Sequence, residues 1–240
     1  MLYLIGIGLS DEKDISVKGL EIIRKCNKVY LENYTSKLNC NVKDLELFYG
    51  KKIILANRDL IENKSEIILN EARKKDVALL IIGDIFFATT HVNLLLQAKK
   101  LNIKTQIIYN ASLISAIGIT GLSLYKFKIS SIPFNNENIK SPYEVLINNP
   151  DNHILYLLDL DPENNKYMSV NEAVQYLVKN GLDKERLVIG CSCIGSKDQE
   201  IKIDKAKDLM NYNFKKYPQC LIIPSENLHF MEEESLKLLK

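Results

Sequence analysis

Two hydrophobic periods alternate along the chain. Short apolar runs at 3–7, 28–32, 52–55, 77–82 and 104–109 read as strands, and most of the stretches between them place apolar residues at helical spacing. This rhythm predicts βαβ units and a largely parallel sheet in the first half. In the first helix Ile15, Val17, Leu20, Ile22, Ile23 and Cys26 form the expected apolar face, while Lys18, Glu21, Arg24 and Lys25 face water. The run at 77–82 is apolar throughout and reads as a buried strand.

In the second half, strands are expected at 153–158, 186–193 and 219–223, with helices at 170–179, 204–211 and 231–239. Ser169 and Glu172 have the spacing of a capping box, and Gly181 suits a helix stop. The polar stretch 135–140 reads as an exposed loop closed by Ser141 as N-cap and Pro142 at the first helical position. Asn-rich connections here predict a mixed sheet. After Asn110 the chain enters a segment rich in small residues, 111–121, so two α/β domains are expected, 1–110 and 111–240.

Composition narrows the possibilities. With 240 residues, 46% hydrophobic and 26% charged, the chain can bury a real core. Lys and Arg number 32 against 30 Asp and Glu, a net charge of +2, which makes no case for a nucleic acid or a membrane surface as partner. No apolar stretch approaches the ~20 residues that span a bilayer, and the first residues lack a basic leader. The five cysteines, at 26, 40, 191, 193 and 220, show no metal-ligand spacing, and reduced thiols point to the cytoplasm. Strand alternation would put Cys191 and Cys193 on one face.

Candidate chemistry begins at 83–91, Gly-Asp-Ile-Phe-Phe-Ala-Thr-Thr-His, which follows the buried strand and precedes a helix. In α/β proteins ligands gather at such strand ends. Thr89 and Thr90 are able to cap the helix, and a plain Gly-Asp turn explains the segment equally well. Gly6 and Gly8 end the first strand without the third glycine of a dinucleotide fingerprint, yet they would let a ligand approach the backbone. The histidines, at 91, 153 and 229, lack partners at ligand spacing, so no metal is expected. There is no nucleophile elbow and no phosphate-binding loop. A chain poor in acid–base pairs suits a reaction driven by positioning two reactants, such as methyl transfer.

Several segments resemble the diphthine synthase family of the tetrapyrrole methylase superfamily: Tyr3-Leu-Ile-Gly-Ile-Gly-Leu-Ser-Asp11, Val29-Tyr-Leu-Glu-Asn-Tyr-Thr-Ser36, Gly83-Asp84 through Ala88-Thr-Thr-His91, Asn110-Ala-Ser-Leu113 through Leu122, Tyr125-Lys-Phe127, His153 to Asp159 and Asn227-Leu-His229. The resemblance covers essentially the whole chain. It implies a homodimer with two α/β domains and the cofactor S-adenosylmethionine (SAM) in the cleft between them, released as S-adenosylhomocysteine. The implied reaction is repeated methylation of the amino group of a modified histidine, the aminocarboxypropyl-histidine intermediate, on translation elongation factor 2. The implied cofactor contacts are Leu9, Asp84, Phe87, Ser112, Leu113, Leu158, Ile194 and His229, with core packing the plain alternative for Leu158 and Ile194. No catalytic residue is assigned, and His91 is expected to support its loop. Tyr125, Phe127 and Phe134 are aromatic candidates to face the growing cationic head. The chain departs from the family pattern at Ile85, usually Pro, which removes a φ constraint from the loop, and at Lys128, usually Gly, which affects a local turn. Two other readings stay open: a methylase of the same superfamily acting on a precorrin or ribosomal RNA, and a non-catalytic SAM-binding module.

Overall fold

In the computed structural model, which describes residues 1–240, the apolar run of the fourth strand is buried along its whole length. The reason is its place in the sheet of the first of two units, Met1–Leu113. That unit runs β1 (Leu2–Gly6), α1 (Val17–Lys25), β2 (Lys28–Glu32), α2 (Val42–Tyr49), β3 (Ile53–Ala56), α3 (Glu66–Ala72), β4 (Val77–Ile81), α4 (His91–Lys100) and β5 (Thr105–Ile108). Its sheet has the order β3-β2-β4-β1-β5 and every pairing is parallel. Leu2, Leu4, Leu79 and Ile81 pack with Ile68, Leu69, Leu94 and Ala98 of α3 and α4. Ile5, Ala78 and Leu80 pack on the other face with Ile23, Leu45 and Tyr49 of α1 and α2. Helices on both faces leave no polar side for β4, which is why its sequence does not alternate. The first helix departs from expectation at Val17, which is 76% exposed; Ser16 caps the helix through its side chain, and Ile23 carries the buried contact.

The chain passes into the second unit, Ile114–Lys240, within the one-turn helix α5 (Leu113–Ala116). There follow β6 (Phe127–Ile132), α6 (Ser141–Ile147), β7 (His153–Leu158), the short hairpin β8 (Leu160–Asp161) and β9 (Lys166–Tyr167), α7 (Val170–Lys179), β10 (Leu187–Ser192), β11 (Glu200–Lys205), α8 (Ala206–Leu209), β12 (Gln219–Ile223) and α9 (Phe230–Leu239). The main sheet has the order β11-β10-β12-β7-β6, with β6 and β7 parallel and the other pairs antiparallel, a mixed sheet as the Asn-rich connections suggested. Ile154, Tyr156, Leu221 and Val188 meet Val174, Leu177 and Leu209 in its core.

The expected caps divide. Ser169 and Glu172 form the full capping box, and Gly181 follows the helix end with φ +119°. Replacing Ser169 by Ala removes one of these reciprocal bonds and is expected to lower stability by about 1 kcal/mol, measured as a shift of the urea midpoint at unchanged m value. Ser141, in contrast, lies inside α6, and Lys140 occupies the cap position without a side-chain bond. Thr90 precedes α4 but does not cap it: its hydroxyl donates to Glu62, and that of Thr89 donates to the Ile85 carbonyl. The helix expected at 204–211 shrinks to α8, because residues before it pair as the edge strand β11. Lys128 is an exposed residue of regular strand β6, so no turn depends on it.

Candidate functional site

In the first unit the parallel strands all deliver their C-terminal ends to one edge, and three loops meet there. Asp14 accepts hydrogen bonds on Oδ2 from the Leu9 and Ser10 N–H groups, at 3.0 and 2.7 Å, and so shapes the loop after β1. Gly8 and Gly83 form an antiparallel bridge that joins this loop to the one after β4. Asn110, just past β5, donates from Nδ2 to the Gly6 and Asp14 carbonyls, both at 3.0 Å, and its own N–H reaches Asp84 Oδ2 at 3.3 Å. One asparagine thus ties together three segments far apart in sequence.

Gly6 and Gly8 are required by the protein's own packing. A Cβ on Gly6 would lie 2.7 Å from the Gly83 carbonyl oxygen and 2.9 Å from Asn110 Cβ. One on Gly8 would collide with the Asp14 side chain, and φ at Gly8 is +82°, a conformation that only glycine adopts readily.

Five of the residues singled out from the sequence lie on these loops. Leu9 is half-buried, with its side chain beside Gly83. Asp84 is half-buried and makes a tight turn in which Oδ1 accepts from Phe86 N–H at 3.1 Å. Its two partners are backbone N–H groups, and no lysine or arginine closes an ion pair with it. Phe87 is half-buried two residues before Thr89, Ser112 is buried, and Leu113 opens α5. Ile85, where the family usually has proline, is wholly buried against the β4 core, so the loop is fastened by packing instead of by a ring.

In the second unit Leu158 ends β7 and Ile194 lies two residues beyond β10, both buried. Cys191 and Leu157 both face Cys220 across β12, so the two strand ends share one end of the sheet. His229 stands just before α9. It caps α9, its N–H donating to Glu232 Oε2 at 2.8 Å, and Glu232 Oε1 lies 3.1 Å from His153 Nε2 at the opposite end of β7. The His229 ring is exposed, 4.3 Å from that of Phe230 between centroids.

Cys193 also departs from expectation. The strand stops at Ser192, Cys193 takes φ +49°, and its thiol turns to the Tyr217 carbonyl at 3.2 Å, so it does not share a face with Cys191. A hydrogen bond with Cys220 and complete burial push the Cys191 thiol well above its ordinary value, which keeps it protonated. Of the aromatic candidates, Phe127 packs against His153 and Phe134 already carries the Lys166 ammonium 4.0 Å from its ring centroid. Tyr125 stands 87% exposed.

Residues 1–210 match the family described as Tetrapyrrole (Corrin/Porphyrin) Methylases. The chain is 39% identical to the diphthine methyl ester synthase of Mus musculus, covering 99% of this chain and 96% of that protein. It is 38% identical to the diphthine synthase of Methanococcus aeolicus, covering 100% and 98%. A crystal structure of diphthine synthase superposes with a TM-score of 0.93 at 36% identity, covering 99% of this chain and 95% of that one.

Proposed function

The chain belongs to the tetrapyrrole methylases, within the diphthine synthase family, and on that premise we propose that it uses SAM to methylate the amino group of the aminocarboxypropyl-histidine intermediate on elongation factor 2, repeatedly, in diphthamide biosynthesis. The observation that carries this reading is likeness along the entire chain to relatives of that name in both a mammal and an archaeon. A homodimer acting in the cytoplasm is part of the same proposal. No helix is long and apolar enough to cross a membrane.

The site residues suit the cofactor. SAM is cationic at its sulfonium and ammonium groups, and Asp84 offers a half-buried carboxylate with hydrogen bonds but no cation of its own. Phe87 shares its loop, Leu9 follows β1, Ser112 and Leu113 follow β5, and Leu158, Ile194 and His229 complete the proposed set. When bound, SAM supplies an electrophilic methyl group that an amine nitrogen takes in an in-line displacement. The protein's part is to orient: Asp84 attracts the cationic centre, and Asn110 and Asp14 hold the loops that carry it in register. Such alignment lowers a barrier by supplying in advance the entropy that two free reactants would lose. The amine's proton passes to solvent.

Label transfer from methyl-tritiated SAM tests the substrate. Elongation factor 2 bearing the intermediate, a corrin precursor and ribosomal RNA are offered in parallel. Label is expected on the elongation factor alone; label on either of the others, and none on the factor, would replace this reading.

A further inference from the structure

The loop after β4 is held at both ends by buried side chains, and the second of them has no evident structural reason to be polar. Ile85 anchors the start. His91, the first residue of α4, is fully buried, and neither ring nitrogen has a hydrogen-bond partner. An apolar ring would fill the same space without burying two unsatisfied polar atoms, and a group of this kind in a native protein calls for a functional explanation. Between the anchors Ala88 adopts φ +54°, a strained conformation for a residue with a Cβ.

The polar groups that face the ring come from three elements. The Ile85 carbonyl of its own loop faces the ring and also accepts the Thr89 hydroxyl at 2.7 Å. Glu32, at the end of β2, is wholly buried and accepts from Tyr34 and Thr35 N–H at 2.7 and 2.8 Å and from the Thr35 hydroxyl. Glu62, in the single turn Asp59–Asn63, accepts from the Tyr34 and Thr90 hydroxyls at 3.4 and 3.3 Å. The Arg58 guanidinium lies over the Tyr34 ring, 5.1 Å from its centroid. The segments 32–35 and 89–91, distant in sequence, therefore converge on one cluster behind the loop that bears Asp84 and Phe87.

We propose that His91 is a positioning residue for methyl transfer: it props the 83–90 loop in the seating that presents Asp84 and Phe87 to the cofactor. This rests on the cofactor assignment above and adds to it a control of that loop. Burial pushes the His91 imidazole below its ordinary value, and the Glu32 carboxylate, the Ile85 carbonyl and the Glu62 carboxylate return only part of the shift. The seated loop thus prefers the neutral ring. Its seating is complete above the ordinary imidazole value, about 6.5, and is lost as pH falls through the lowered one.

Calorimetric titration with S-adenosylhomocysteine between about pH 7.5 and 5.5 tests this. In the unsubstituted protein, affinity is expected to fall by up to about 10-fold for each pH unit between the ordinary imidazole value and the lowered one, the limiting slope of one linked proton. His91→Gln, which cannot charge, is expected to bind roughly 3-fold to 10-fold more weakly at the upper pH, as for a residue acting through a neighbour, and to show no acid loss. His91→Asn serves as a second variant should the first fail to fold. A flat profile in the unsubstituted protein, or an acid loss that persists in either variant, overturns the role of His91. Absence of binding at every pH would instead overturn the cofactor assignment on which it rests.

Discussion

Replacing Glu232 by alanine is expected to cost the second unit about 3–5 kcal/mol, the range for removing one member of a buried polar network. Glu232 is 2% exposed on α9, yet its carboxylate satisfies four donors: the N–H groups of Ser123 at 3.0 Å and His229 at 2.8 Å, the Lys126 ammonium at 3.0 Å and His153 Nε2 at 3.1 Å. His153 accepts the Ser225 N–H on Nδ1, so a neutral ring carries its proton on Nε2 and donates it to Glu232. Burial lowers the His153 imidazole, which favours that neutral form. Burial alone would raise Glu232, but the hydrogen bonds from Ser123, His229 and Lys126 outweigh it and hold the carboxyl far below the usual range. The sign follows: a depressed carboxylate contributes stability that is full above the unfolded value, about 4.3, and is lost as pH falls through the folded one. Urea unfolding at neutral pH measures the loss. Glu232→Gln should retain part of the stability and lose this component of the acid sensitivity, and an alanine variant within about 1 kcal/mol of the original would show that the network is not what holds α9 in place.

The second large effect falls on binding. Asp84→Ala is expected to weaken SAM by roughly 30-fold or more, equivalent to about 2 kcal/mol or above for truncating one side of a partly buried charge pair. Alanine also removes the acceptor for Phe86 and Asn110, so charge and scaffold are lost together. Asp84→Asn separates them, since its amide oxygen can still receive the Phe86 N–H while the charge is gone. If charge attraction dominates, the asparagine variant falls close to alanine. If its affinity matches the original protein by calorimetry, Asp84 acts only as a turn.

Much of this fold could be read from hydrophobic period. The run at 77–82 is continuous because helices cover both of its faces, and 170–179 is bracketed by a capping box and a glycine that the structure reproduces. Edges were harder. β6 and β11 lie at the two sides of the second sheet, where Phe127-Lys-Ile-Ser-Ser-Ile and Glu200-Ile-Lys-Ile-Asp-Lys mix charge with few apolar residues. Such composition protects an unpaired edge and at the same time hides a strand from a pattern search. The caps at Thr90 and Ser141 failed because their hydroxyls or positions were claimed by other contacts, which local sequence does not reveal.

The candidate site shows the same limit. The loop at 83–91 was visible as a strand-to-helix turn, and its Asp84, Phe87 and His91 stand where that turn places them. Asn110 was legible only as part of a motif. Its bonds to Gly6 and Asp14 span 104 and 96 residues, so nothing in its neighbours announces that it organises the edge. Likewise, only the fold shows that Gly83, Asn110 and Asp14 occupy the space that a side chain at Gly6 or Gly8 would need.

The archaeal relative is named for diphthine and the mouse relative for diphthine methyl ester, at 38% and 39% identity to this chain. Intact-mass spectrometry addresses both the reaction and its end point. Elongation factor 2 carrying the aminocarboxypropyl-histidine intermediate, incubated with this protein and SAM, is expected to gain mass in successive steps of one CH₂ unit, the last step marking the number of methyl groups transferred. An unchanged mass, in a preparation that binds SAM by calorimetry, would contradict the proposed methylation of the elongation factor.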